Sequence, residues 1–444
     1  MAEIAVTHNP KDSYLADAET LNSPARRNGA PEWLLQTRQS AQEAFTTQEF
    51  PHTKMEEWRQ TNIAPINRTP FRSVIAPTGF IPAKSVLELY RYADWHTLVF
   101  VDGHYIPELS RAGKLPEGVW FGSLKAAMHD TEKAPLLKEH LNQVLQERSA
   151  YTTLNTAFLQ DGGFVHVAKN TVVEQPLHLV FVTSKREDDT AAYARNLIVL
   201  DQSSEATVVT SYVNLGGDRQ FCNNVVDEVV LGENAQLSYY KIVEEGENAH
   251  HLATTEVRQE RDSRFTAYTM SLEGKTIRNQ LCILLNDEGA SCNLSGLYLN
   301  DGDRLIDNAI HITHAKPHCD SRIMYKGVLD GDSKAVFTGK VHVYRDAQRT
   351  DSDQLSNNLL LSDDATIHTR PQLEIYADDV KCTHGATIGS PPEPIIFYFR
   401  SRGIDEPTAR AMLTYGFAEE VISDIEIPVL AERLGRYVYN KFSP

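Results

Sequence analysis

The sequence predicts a mainly β chain in which a stacked all-β solenoid is flanked by helical segments on both sides. Three observations carry that prediction. From Gly162 to about Gly389, short alternating runs of Val, Ile, Leu, Thr and Tyr are punctuated by Gly, Asp and Asn, with hardly any helical period. Within that region five segments share one plan, a polar turn, a small Ala and then a strand. They are Ser204-Glu205-Ala206-Thr207-Val208-Val209, Glu233-Asn234-Ala235-Gln236-Leu237-Ser238, Glu288-Gly289-Ala290-Ser291-Cys292-Asn293-Leu294, Asp332-Ser333-Lys334-Ala335-Val336-Phe337 and Asp363-Asp364-Ala365-Thr366-Ile367. Their alanines lie 29, 55, 45 and 30 residues apart, and Arg264 divides the longest gap into 29 and 26. Outside the region, apolar residues recur at helical spacing instead. A repeat too short to bury a core alone gains one by stacking, and the Ala is expected at a tight corner between rungs. A β-sandwich offers similar turn spacing but does not demand a recurring corner residue.

Residues 1–160 read as a mainly helical N-terminal domain, 161–390 as the solenoid core and 391–444 as a C-terminal helical domain. The first 30 or so residues are polar, with turn signals at Asn22-Ser23-Pro24 and Asn28-Gly29-Ala30-Pro31, and are expected to be poorly ordered. From Pro31 the spacing of Trp33, Leu34, Ala41, Ala44 and Phe45 predicts a helix that Phe50-Pro51 ends. Lys54 to Thr61 reads as a charged surface helix with Trp58 as its one aromatic anchor. Thr97 to Val101, followed by Asp102-Gly103, predicts a strand and tight turn. Leu124 to Gln160 reads as helical, with Leu136, Leu137, Leu141, Val144 and Leu145 as its apolar stripe.

After the link Pro391-Pro392-Glu393-Pro394, Ile395 to Arg402 predicts a short helix stopped by Gly403 in a left-handed cap. Asp405 is the expected N-cap of the next helix, with Pro407 tolerated in its first turn. Ala409, Met412, Leu413, Phe417, Val421 and Ile425 are assigned to one apolar face. A last helix after Pro428 carries Leu430, Leu434, Tyr437 and Val438. Such a stripe packs on its own core or serves as a partner groove.

Composition narrows the function classes. A chain of 444 residues with a formal net charge of −17 and no basic cluster is a poor nucleic-acid binder. No basic-then-apolar leader opens at Met1 and no run nears the roughly 18 apolar residues that span a bilayer, so a cytoplasmic protein with no membrane role is expected. The five cysteines, at 222, 282, 292, 319 and 382, form no Cys-x-x-Cys pair, which argues against a zinc ribbon or a self-contained cluster site. Phosphate-cradling and dinucleotide Gly-rich loops are missing, as is a nucleophile elbow. The chain is therefore not expected to be an enzyme, and no ATP site is assigned to it. His311-Ile312-Thr313-His314-Ala315-Lys316-Pro317-His318-Cys319 crowds four possible ligands. A strand would spread them over both faces, so surface and rung-stacking histidines are the favoured reading. Asp378 and Asp379, taken as strand neighbours, would face opposite ways and share no proton.

The richest stretch runs from Leu373 to Gly389. Leu373, Ile375 and Ala377 alternate with Glu374 and Tyr376, as on a half-buried strand. Cys382 and His384 then fall two residues apart, which on a strand places them on one face. A soft sulfur beside a borderline nitrogen suits iron or a sulfur-bearing intermediate, while a buried thiol next to a surface imidazole is the structural alternative.

Tyr376 to Gly389, continued by Phe397-Tyr398-Phe399-Arg400-Ser401-Arg402-Gly403-Ile404, resembles the C-terminal signature of the SufB/SufD family of SUF iron–sulfur cluster assembly proteins. His384-Gly385-Ala386, where the SufB branch carries a His-Glu-Ala type of element, makes it similar to the SufD branch. The resemblance implies a right-handed parallel β-helix core, edge pairing with a SufB β-helix, and a transient iron–sulfur cluster or iron at their seam. It implies His384 as the iron- or cluster-binding ligand from this chain and Cys382 as an auxiliary thiolate. Separately, the adjacent charge of Lys381 is expected to lower the thiol pKa if its side chain reaches the sulfur. The other ligands would come from SufB. It also implies docking of the ATPase SufC on residues of about 390 to 444, with Phe397, Tyr398, Arg400, Arg402, Met412 and Phe417 as the partner-binding residues. Any flavin belongs to the whole assembly and is not assigned to residues here. A homodimeric scaffold, a pure adaptor and a β-helical carbohydrate-active enzyme are the alternatives.

Overall fold

The computed structural model describes residues 10–442 apart from 27–28, 78–81, 84–86, 89, 91 and 147. Two ten-stranded sheets face each other, and from Gly163–Val167 onward the chain passes from one to the other with each successive strand. One sheet runs from Val119–Ser123 and Gly163–Val167 through Thr190–Leu200, Phe221–Leu231, Ala249–Gln259, Thr276–Leu285, Leu305–His314 and Lys334–Val343 to Thr366–Ile375, with the short strand Arg72–Ser73 paired to Thr190–Leu200 as its tenth. The other runs from His104–Tyr105 and His96–Val101 through Leu177–Thr183, Glu205–Asn214, Gln236–Glu244, Arg264–Glu273, Ser291–Asn300, Asp320–Leu329 and Thr350–Leu360 to Val380–Gly389. Pairing along both is parallel; only the first strand pair of each sheet is antiparallel. This is the predicted solenoid, a parallel β-helix whose rung is two strands and two turns.

Parallel stacking sets like above like. Phe100, Phe181 and Tyr212 lie in register, and their rings stack at 4.9 and 5.0 Å, the spacing of neighbouring strands. The alanine expectation needs correction. Ala206, Ala235 and Ala290 lie on one sheet, Ala335 and Ala365 on the other, so they share no single corner. The corner column is instead Ser204, Ala235, Ser263, Ala290, Cys319 and Thr350, all buried at the entry of successive strands. What the corner selects is small volume. Serine and threonine fill it as well as alanine because their hydroxyls close the turn: Ser204 Oγ donates to Asp201 O at 2.7 Å, Ser263 Oγ to Glu260 O at 2.6 Å and Thr350 Oγ1 to Ala347 O at 2.9 Å.

Flanking elements depart from expectation in four places. Pro10–Leu21 is a helix that buries Tyr14, Ala18 and Leu21 against Phe45 and Phe71, where poor order was expected; residues 1–9, 27 and 28 lie outside the described residues. Lys54 to Thr61 forms only the 3-10 turn Glu56–Trp58, with Trp58 buried under the Arg278 guanidinium at 3.8 Å. The stretch 124–160 is broken into Leu124–Met128, Lys133–His140 and Ala150–Ala157 because Ser123 and Ser149 cap new helices and Asn142 takes φ 64. Asp378 and Asp379 sit in the turn between the last two strands, not on a strand.

The C-terminal helices are Glu393–Arg400, Glu406–Ile422 and Pro428–Phe442. Gly403 at φ +84 closes the first, with Gly403 N bonded to Arg400 O and Ile404 N to Phe399 O, and Asp405 caps the second through Thr408 N at 2.9 Å. The last two helices pack through Ala418, Val421, Leu430, Leu434 and Val438 on the outer face of one sheet, against Tyr240, Ile242, Tyr268 and Met270. Met412 falls outside that buried face. No helix among the described residues is long and apolar enough to cross a membrane.

Candidate functional site

Both sheets end on the same rung. Thr366–Ile375 pairs only with Lys334–Val343 and Val380–Gly389 only with Thr350–Leu360, so each has one hydrogen-bonding edge without a neighbour among the described residues. In every earlier rung the next turn of the helix covers that edge. Pro371 interrupts the first of these strands, a position that proline tolerates on an edge and not in a sheet interior. Val380–Gly389 carries no proline, so its backbone donors are all present.

Register fixes which side chains face inward. Cys382 lies beside Ser352 and His384 beside Gln354, and both of those neighbours are buried in the solenoid. The alternate residues point out: Thr383 Oγ1 bonds Asp353 Oδ1, and Thr387 Oγ1 donates to Asn357 Oδ1 at 2.9 Å. Cys382 packs against the main core and is half-buried, whereas His384, on the same face two residues further, is exposed because no further rung roofs it. The two side chains thus occupy the uncovered inner surface of the terminal rung.

Burial pushes the Cys382 thiol above its usual pKa, the nearby Asp351 carboxylate adds to that, and the Ser352 backbone N–H works against it. The expectation that Lys381 lowers the thiol pKa fails on geometry. Neighbours on a strand face opposite ways, and the carboxylate of Asp351 is the charge that acts on the sulfur. As it stands, the chain holds this sulfur as a thiol; a thiolate needs a cation brought to it.

The other sequence candidates separate. His314 is buried with Nε2 2.9 Å from Ser321 Oγ, His311 is half-buried, and His318 is exposed 3.8 Å from Glu288, so the three do not converge. Among the described residues no three His, Cys, Asp or Glu side chains gather as a metal cage. Cys222, Cys292 and Cys319 are buried, with the Cys319 thiol pushed up to about 11 mainly by burial.

Exposed apolar side chains concentrate in two places. Ile375, Tyr376 and Ile388 belong to the terminal rung, and Ile388 is 51% exposed. Ile395, Phe397, Tyr398, Met412, Val429 and Tyr439 belong to the C-terminal helices, where Phe397 reaches 72%. Arg402 stacks its guanidinium 3.5 Å from the Tyr398 ring, and Arg400 is exposed beside Glu406. Phe417 differs: it is half-buried, with the Lys326 ammonium 4.5 Å over its ring. Sequence reasoning passed over Ile388, Tyr376 and Pro371. Of these, Pro371 in mid-strand was a readable mark of an edge.

Comparison with known proteins adds the following. A family model described as the SUF system FeS cluster assembly SufBD core domain matches residues 181–417, and one for the SufBD protein N-terminal region matches residues 20–179. An iron–sulfur cluster assembly SufBD family protein of Synechocystis sp. is 31% identical over 91% of this chain and 90% of its own length. The iron–sulfur cluster assembly protein SufD of Escherichia coli is 30% identical over 87% and 88%, and that of Bacillus subtilis 26% identical over 96% and 98%.

Proposed function

The chain belongs to the SufBD family of iron–sulfur cluster assembly proteins, and from that premise we propose that it is a cytoplasmic scaffold subunit of SufD type. In this reading a SufB-type β-helix pairs with the terminal rung, an ATPase of SufC type docks on the C-terminal helices, and the nascent cluster collects at the seam. The observation that carries it is the terminal rung, with two strand edges that have no neighbour among the described residues, an apolar fringe, and a thiol and an imidazole on its open inner surface. Such an edge is a template for strand addition, and a long unprotected one is a liability unless a partner covers it. Val380–Gly389, without proline, is the strand offered for backbone pairing. Thr366–Ile375, with Pro371 in it, is one backbone donor short of that.

His384 is the ligand assigned to incoming iron, and Cys382 the auxiliary sulfur. Iron arriving at the seam supplies the positive charge that would draw the proton from a thiol now held neutral by burial and Asp351. Two ligands of one chain are too few for a cluster, so the remaining ones come from the SufB-type partner and the isolated chain should hold iron poorly. ATP hydrolysis belongs to the SufC-type subunit, whose closure on the helices would strain the seam and aid iron acquisition.

The test is co-expression with SufB and SufC, native chain against His384→Ala and Cys382→Ala, with cluster absorbance after anaerobic reconstitution as the readout. His384→Ala is expected to leave the complex intact and to lose most of the cluster; Cys382→Ala is expected to lose less. A His384→Ala complex that matures clusters at the native level would remove the ligand assignment.

A further inference from the structure

Far from the terminal rung, helices Glu32–Thr47 and Leu124–Met128 wall a cavity of about 220 Å3 together with Pro77, His104 and Asp161. In a chain of net charge −17 this cavity runs the other way: Arg26, Arg38 and Lys125, with His104 and His129, stand against the single carboxylate of Asp161. Arg38 is the decisive member. It is 4% exposed, its Nε donates to the Leu159 carbonyl at 2.7 Å, and among the described residues it makes no ion pair with a carboxylate. Burial alone draws its pKa down to about 10. A guanidinium taken out of water without a counter-charge is costly, and proteins keep one where an anion completes it.

Two further groups point the same way. His104 is buried, its ring donates to the Val74 carbonyl, and among the described residues its Nε2 is left without a hydrogen-bond partner. Asp161 does not supply the missing charge to Arg38. Its oxygens already accept from Gly162 N at 2.9 Å, Lys125 N at 3.1 Å and Tyr105 N at 3.4 Å, and burial raises its pKa to about 6. Leu34 and Met128 line the rest of the wall with carbon.

We propose that this cavity binds a phosphate group, either inorganic phosphate or the head of a small phosphate ester. Arg38 and Lys125 take its charge and Nε2 of His104 accepts from its hydroxyl. Phosphate fits better than sulfate because sulfate carries no hydroxyl at neutral pH to satisfy that nitrogen. The site is independent of the assembly reading, and its failure would leave that reading untouched.

Calorimetric titration of the full chain with inorganic phosphate, at constant ionic strength set by chloride, tests it. Saturable binding of one phosphate is expected, with sulfate weaker. Lys125→Gln, an exposed and therefore structurally benign change, should weaken binding roughly ten-fold, the equivalent of one charge-assisted hydrogen bond. Arg38→Met should abolish it; should that variant not fold, Lys125→Gln carries the test alone. Glycerol phosphate binding more tightly than inorganic phosphate would identify an ester as the ligand, and weaker binding would identify the free ion. Heats no different from those of sodium chloride, or an unchanged affinity in Lys125→Gln, would overturn the proposal.

Discussion

Cys382 and His384 share one strand face, yet one is half-buried and the other open, because no rung among the described residues covers them. That pairing was legible in the sequence, since period two alone puts residues 382 and 384 side by side. What acts on the sulfur was not legible: Asp351 is thirty-one positions away and reaches it only through the register of stacked strands. Residues inside the solenoid also set a pH dependence. Burial lowers the imidazoles of His104, His250 and His314 to about 4 and that of His178 to about 3, against 6.5 in an open chain. Groups depressed in the fold are protonated first in the unfolded chain. The stability they confer is therefore whole above pH 6.5 and is lost as pH falls toward 4. Asp161, raised to about 6, and Asp320, also raised, work in the opposite sense. We expect urea unfolding in phosphate-free buffer to show a stability loss of about 1 kcal/mol or more per histidine between pH 7 and pH 5. Replacing His314 by Gln should remove one such share; an equal slope in that variant would contradict the assignment.

The rung length of about thirty residues could be seen from the alanine spacing, since any stacked repeat must return to its corner at a fixed interval. The two-sheet cross-section could not, because Ala206 and Ala335 mark equivalent turns on different sheets. Nor could the pairing of glycine with tyrosine between neighbouring strands. Gly296 lies beside Tyr325 and Gly327 beside Tyr298, and a Cβ on either glycine would fall 2.2 Å from the facing ring. Each ring covers the bare backbone of its neighbour. Gly296→Ala or Gly327→Ala should thus cost about 1–3 kcal/mol through overpacking, measured as a lower urea midpoint, with no change at the terminal rung. At the C-terminal element, the buried and exposed faces divide the labour. Ala418, Val421, Leu430 and Leu434 hold the helices to the solenoid while Phe397, Tyr398 and Met412 remain outside. Helical period puts Met412 on one apolar face with Ala409 and Val421 but does not say where the buried part of that face ends, and Met412 lies in the exposed part. Truncation before Ile395 is expected to abolish co-purification of SufC while SufB is retained. Loss of SufB together with SufC would mean that the helices also support the rung.

Taken whole, the molecule is a stack with unequal ends. At its start each sheet ends in an antiparallel strand pair; at its finish the last two strands have no further neighbour among the described residues, with apolar side chains on their rim. A net charge of −17 favours a soluble, monomeric chain through mutual repulsion between copies. The measurement that bears most directly on this is amide hydrogen exchange of the full chain, alone and with a SufB–SufC complex. Slowed exchange should appear chiefly in Val380–Gly389 and in the helices from Glu393 to Ile422, with interior rungs unchanged. If the amides of Val380–Gly389 exchange equally fast with and without the partners, the open rung is not where the subunits meet.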